Sequence, residues 1–197
     1  MKDQLKSARL LKQDERGAAL MEFALVSPLF FLILMGVFDI GYGLYAKSVL
    51  QGSVEGAGRL ASLESTTTSV TDQRVRDAVG ALNKLGPITF KRTYYQNYQD
   101  VSVPEDFTDG NANSARDAGE CFIDRNGNGV WDQDVGVSGR GGAQDVVIYT
   151  ATMTYDRLFP VWGMLNQSQQ QKLTGTTYLR NQPFSAQAAR VGVKICT

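Results

Sequence analysis

The chain has 197 residues, 20 basic and 20 acidic side chains and therefore no net formal charge, and it contains no histidine. With no excess of cation to displace counterions, no nucleic-acid partner is expected. The missing histidine excludes Ser-His-Asp and Cys-His nucleophile systems and the common His-rich zinc sites, and the chain is expected not to be an enzyme.

The first 16 residues carry Lys2, Lys6, Arg9, Lys12 and Arg16 against Asp3, Asp14 and Glu15, and the next basic residue is Lys47. Between them lies Ala18 to Phe38, a nearly continuous apolar run broken by one acid, Glu22. A spanning helix needs roughly 20 apolar residues, so the run can cross a bilayer. The basic bias ahead of it predicts a cytoplasmic N-terminus and a translocated remainder. A secretory signal is the competing reading, but its apolar stretch is about 7–15 residues long and ends at a small-x-small cleavage site. A carboxylate at the bilayer centre costs about 2.5–3.5 kcal/mol or more, so Glu22 is read as functional. Pro28, preceded by Ser27, removes one helix hydrogen bond and is expected to bend the helix. Asp39 marks the expected outer end of the span.

After Asp39 the residues Tyr45, Val49, Leu50, Val54, Ala57, Leu60 and Ala61 recur at helical spacing. They predict an amphipathic continuation to about Leu63, weakened by Gly52, Gly56 and Gly58. Ser62 to Thr71 reads as a Ser/Thr-rich connector, and Asp72 to Asn83 as a second helix ended by Gly86-Pro87. Ile88 to Tyr95 is a predicted strand, and Gln96 to Gly119 a polar surface loop. Asp145 to Tyr155 is the clearest strand, dense in β-branched and aromatic residues. Leu158 to Leu165 reads as a short apolar connection capping the core. Gly175 to Arg180 and Gln187 to Ile195 complete the set, the last with Ala189, Val191, Val193 and Ile195 on a buried face. The expected fold is α+β: a long N-terminal helix, transmembrane and then amphipathic, with a small antiparallel sheet as a pilin-like head.

Two features of the head carry chemistry. Asp124, Asn126, Asn128, Val130 and Asp132 follow the calcium-loop order of oxygen ligands at positions 1, 3 and 5, a backbone carbonyl at 7 and an acid at 9, with Gly129 at the turn. Val135 stands where that loop has its bidentate glutamate, with Asp134 as the expected substitute. A structural calcium ion and a turn cluster held by its own side chains are both compatible with these residues. Cys121 and Cys196 both fall in the portion expected to be translocated, where an oxidising compartment favours a disulfide over two buried thiols.

The stretch Arg16-Gly17-Ala18-Ala19-Leu20-Met21-Glu22-Phe23 resembles a type IV prepilin processing site. The wider segment to Tyr45, with Pro28 and Phe38-Asp39-Ile40-Gly41, is similar to the TadE-like pseudopilins of tight-adherence (Flp-type) pili. The later CFIDRNGNGVWD and GGAQDVVIY segments also look like that family's outer domain. The resemblance implies a cytoplasmic leader over 1–17, a helix over 18–63 and an extracytoplasmic head over 64–197. It further implies cleavage between Gly17 and Ala18 by a prepilin peptidase, with Glu22 and Phe23 used in processing or assembly. Expected partners are that peptidase, other pilins and pseudopilins, the tight-adherence machinery and membrane lipid; the expected location is the inner membrane or the pilus. Cleavage would expose an ammonium at Ala18, about one helical turn from the Glu22 carboxylate, and such an amine on a neighbouring subunit could neutralise the acid. The alternative is an uncleaved, single-pass envelope protein whose outer domain binds calcium or another ligand.

Overall fold

The computed structural model describes residues 16–62, 67–82, 85–182, 187 and 190–196. Residues 1–15 of the leader expected over 1–17 lie outside them. In chain order the elements are α1 (Arg16–Ala61), α2 (Thr68–Val79), β1 (Leu85–Tyr95), β2 (Phe122–Asp124), β3 (Val137–Ser138), β4 (Val146–Asp156), α3 (Val161–Met164), β5 (Gln170–Arg180) and β6 (Val193–Ile195). The expected α+β class, a long apolar helix followed by a small antiparallel sheet, is borne out. The chain divides into two compact units, whose described parts are 16–44 with 157–169, and 45–156 with 170–196.

In the first unit, α1 is apolar and bare. Leu20, Met21, Phe23, Leu25, Val26 and Leu29 are all exposed, Leu25 by 78%. The helix continues through Pro28. Proline offers no N–H to the Ala24 carbonyl one turn back, and the Ser27 hydroxyl faces that oxygen at 3.5 Å. The unit's polar centre is Asp39, which is 0% exposed. It accepts hydrogen bonds from Arg157 (2.8 Å), the Trp162 indole (2.7 Å) and the Leu158 backbone N–H (3.0 Å). The Arg157 guanidinium also lies over the Trp162 ring. The connection expected at Leu158–Leu165 thus contains the one-turn helix α3 and is organised around a buried acid. Asp39, expected simply to mark the outer end of the span, is a fully paired anchor.

In the second unit the main sheet has the order β3-β1-β4-β5, antiparallel throughout, and β2 and β6 form a separate pair. Along β4, Val147, Tyr149, Ala151, Met153 and Tyr155 are buried on alternate positions. The register places Phe90 and Arg92 of β1 and Leu173 and Gly175 of β5 on the same face. Leu50, Val54 and Ala57 of α1 and Val75 and Val79 of α2 supply the helical half of the core. Asp72 of α2 pairs with Arg92, and the Tyr149 hydroxyl donates to the same carboxylate at 2.8 Å. At the edge strand β5, the Gln51 amide donates to Thr176 O (3.0 Å) and accepts from Thr176 N (3.2 Å), so α1 satisfies backbone groups that an open edge would leave bare. Gly58 permits this approach: a Cβ there would stand 2.7 Å from the Thr177 methyl.

Several boundaries differ from expectation. Helix α2 begins at Thr68, inside the expected connector, where the Thr71 hydroxyl bonds back to Thr68 O. It ends at Val79, before the expected Asn83. Strand β5 begins at Gln170 rather than Gly175. Among the described residues of the expected strand Gln187–Ile195, only Val193–Ile195 forms a strand, β6, and Val191 and Val193 are exposed instead of lining a buried face. Alternation buries a strand face only when a second layer covers it, and here Gln187 and Arg190 turn to Asp145 instead. Ala189 lies outside the described residues.

Candidate functional site

The residues expected to govern processing stand together at the start of α1. Gly17, Ala18, Glu22 and Phe23 are all exposed, and nothing lies within 4 Å of a Cβ built at Gly17. Among the described residues Glu22 has no ion-pair partner. α1 is long and apolar enough to cross a membrane, which is compatible with single-pass anchoring. Its bare apolar surface requires lipid or other chains to cover it, because leaving a large aliphatic side chain in water forgoes about 1.5–3 kcal/mol.

In the second unit, Cys121 and Cys196 form the expected disulfide. It lies next to β2, where Phe122–Asp124 pairs with Val193–Ile195. From Asp124 the chain enters the expected loop. The Asp124 carboxylate accepts N–H groups from Gly127 (2.6 Å), Asn128 (3.3 Å) and Gly129 (2.8 Å). The side-chain amides of Asn126 and Asn128 both converge on one oxygen of Asp132, each at 2.6 Å. Val130 donates its backbone N–H to the Asn128 side-chain oxygen at 2.8 Å. Asp134 is engaged elsewhere, accepting from the Tyr95 hydroxyl and from Gly136 N, each at 3.0 Å. Burial, and then the hydrogen bond and negative charge of Asp134, push the Tyr95 phenol up to about 12.

A further acid, Glu105, stands against this loop, and sequence reasoning missed it. Its carboxylate accepts the backbone N–H of Arg125 (2.7 Å) and of Asp132 (3.2 Å), and the residue is 1% exposed. The signal that could have found it is an internal repeat. Residues 105–119 and 120–134 share E-x-F-x-D-x-N-x-N-x-x-x-D, each copy fifteen residues long. Thus Glu105 answers to Glu120, Phe107 to Phe122, Asp109 to Asp124, and Asp117 to Asp132.

The hydrogen bonds repeat with the sequence. Asp109 accepts from Asn113 N (3.2 Å) and Ser114 N (2.8 Å). Asn111 and Asn113 both donate to one oxygen of Asp117, at 2.7 and 2.8 Å. Glu120 accepts from Gly110 N (2.8 Å) and Asp117 N (3.0 Å), as Glu105 does from the corresponding residues of the other loop. The copies meet at an antiparallel bridge between Phe107 and Phe122, flanked by two equivalent backbone bonds, Thr108 N to Cys121 O and Ile123 N to Asp106 O, both 2.8 Å. Ala112 and Ser114 take left-handed φ of 59° and 61°, where the second copy has Gly127 and Gly129. A non-glycine there costs about 1–2 kcal/mol, so the surrounding bonds impose the loop's shape. Bonds from Ser114 N, and then from its neighbours' N–H groups, hold the Asp109 carboxyl below its usual range. Among the described residues no three His, Cys, Asp or Glu side chains gather as a ready metal cage; the loops interpose asparagine amides and backbone groups between their acids.

Residues 17–59 match the family model described as TadE-like protein, bearing out the resemblance carried by the first helix. No curated protein and no solved structure matches the chain.

Proposed function

We propose that the chain is a pseudopilin, or minor pilin, that a prepilin peptidase cuts between Gly17 and Ala18 and that then contributes to building a tight-adherence pilus. One observation carries this reading: the TadE-like match starts at the glycine of the cut site and runs along the helix whose bare apolar stretch, Ala18 to Phe38, holds a single acid, Glu22. Before cleavage the basic leader holds the N-terminus in the cytoplasm and the sheet unit on the far side of the inner membrane. Afterwards the Ala18 ammonium lies close enough to the bilayer surface to meet the Glu22 carboxylate of a neighbouring subunit, which sets the register between packed helices. The partners are the peptidase, other pilins and the assembly machinery. No catalytic role is assigned.

N-terminal sequencing of the protein from membranes of cells with and without the peptidase tests the reading. The expected mature N-terminus is Ala18 in the first and an intact leader in the second. An intact leader in both would leave an uncleaved anchor carrying an outer domain.

A further inference from the structure

We propose that the duplicated segment 105–134 binds two calcium ions, one in each loop, and that the repeats exchange their glutamates: Glu105 of the first copy completes the Asp124 loop, and Glu120 of the second completes the Asp109 loop. The proposal concerns the second unit alone and stands independently of the reading of the first helix.

The observation that separates a cation site from a self-bonded turn is Glu105. It comes from outside the loop it enters, 19 residues before Asp124, and it is almost completely buried. Burying a carboxylate is costly unless its charge is met. The buried acids Asp39, Asp100 and Asp145 each face an arginine, as does the half-buried Asp72. Among the described residues Glu105 and the likewise buried Asp124 face none. Arg125, next to Asp124 in sequence, is committed to Asp100 at 2.5 Å. Each Glu105 oxygen accepts one N–H and retains a lone pair, and the charge remains unmatched.

The donor set then selects the ion. In the second loop the candidate ligands are Asp124, Asn126, Asn128, the Val130 carbonyl, Asp132 and Glu105. In the first they are Asp109, Asn111, Asn113, the Ala115 carbonyl, Asp117 and Glu120. All are hard oxygens, six to seven per loop in the order used by the twelve-residue calcium loop, a number and flexibility that suit calcium better than magnesium. In the first loop the glutamate stands at position 12. In the second that position is Val135, and Glu105 makes the same two backbone contacts from upstream. The paired amides facing Asp132 and Asp117 would present oxygen on half a turn about their terminal bond, exchanging the backbone N–H groups their oxygens now accept for the ion.

The test uses the full chain in detergent, stripped with a chelator and titrated with calcium alone. Two ions per chain are expected, with half-saturation at about 10⁻⁴–10⁻³ M, as in extracellular calcium modules. Trp131 lies inside the second loop, where its indole bonds Glu105 O at 2.9 Å, so terbium luminescence excited through tryptophan reads that loop. Glu105→Gln should weaken the terbium signal by at least about tenfold and leave one calcium bound. Glu120→Gln should keep the signal and lose the other calcium. Loss of the terbium signal in Glu120→Gln with its retention in Glu105→Gln would overturn the exchange. A wild-type chain that binds no calcium at about 10 mM, or whose calcium is displaced by equal magnesium, would overturn the sites themselves. The wild-type titration needs no variant, so misfolding of either substitution leaves the proposal exposed to refutation.

Discussion

Single side chains decide how the charges of this protein are disposed. Asp39 and Arg157 are 118 residues apart in sequence and 2.8 Å apart in space. Asp39→Ala would leave Arg157 and the Trp162 indole without their acceptor, and breaking a buried pair from one side costs about 3 kcal/mol when the remaining partner is partly hydrated, as Arg157 is. Trypsin should then cut after Arg157 faster than in the parent chain. Tyr95 behaves in the opposite sense to a carboxylate. Its phenol is raised from 10.0 to about 12, so the neutral form is favoured by the fold. The stability it contributes is complete below pH 10 and is lost as pH rises towards 12. Absorbance titration at about 295 nm should show a late tyrosine step that Tyr95→Phe removes. Asp145 works in the acid range. Burial pushes its carboxyl up, but bonds from Gln187, Gly142 and Arg190 outweigh that and hold it below its ordinary value. Its contribution is therefore present at neutral pH and lost only as pH falls through that depressed value. None of these pairings was legible in the sequence. Arginine and aspartate are spread along the chain, and only the fold decides which meet.

Elements were more legible than contacts, for reasons that differ element by element. The apolar run of α1 and the alternation of β4 declared themselves because each is buried, or waiting to be buried, along its whole length. Strand β5 was half missed because Gln170 to Thr174 has Leu173 as its one apolar residue, and it lies at a sheet edge closed by Gln51 of α1 rather than by another strand. The three glycines read as weakening α1 do not interrupt it, and at Gly58 the missing side chain admits β5. Gly58→Leu should therefore lower stability by about 2 kcal/mol or more despite leucine's better helix propensity, because overpacking outweighs the roughly 1 kcal/mol gained by replacing a helical glycine. A thermal melt of the full chain in detergent checks this. The polar stretch after Gln96 was read for local composition, and local composition hides a period. Only comparing the chain with itself at an offset of fifteen residues aligns Glu105 with Glu120 and Asp109 with Asp124.

At the scale of the molecule, membrane attachment and the chemistry of the sheet unit are separate problems with separate tests. Glu22→Ala should leave insertion intact, since it removes the only charge within the apolar run, and should abolish pilus assembly. Normal pili on cells carrying that variant would remove the acid's assigned role. The disulfide Cys121–Cys196 closes a sequence separation of 75 residues, a span for which chain-entropy arguments give about 4 kcal/mol. It ties the C-terminal end to the junction between the two fifteen-residue copies. That junction also constrains how the duplication can change. Since each copy lends its glutamate to the other, deleting one would not leave a simpler working unit but a half with an orphaned acid and an unfinished loop. Neither copy can be excised alone, so any truncation must keep or remove the two together.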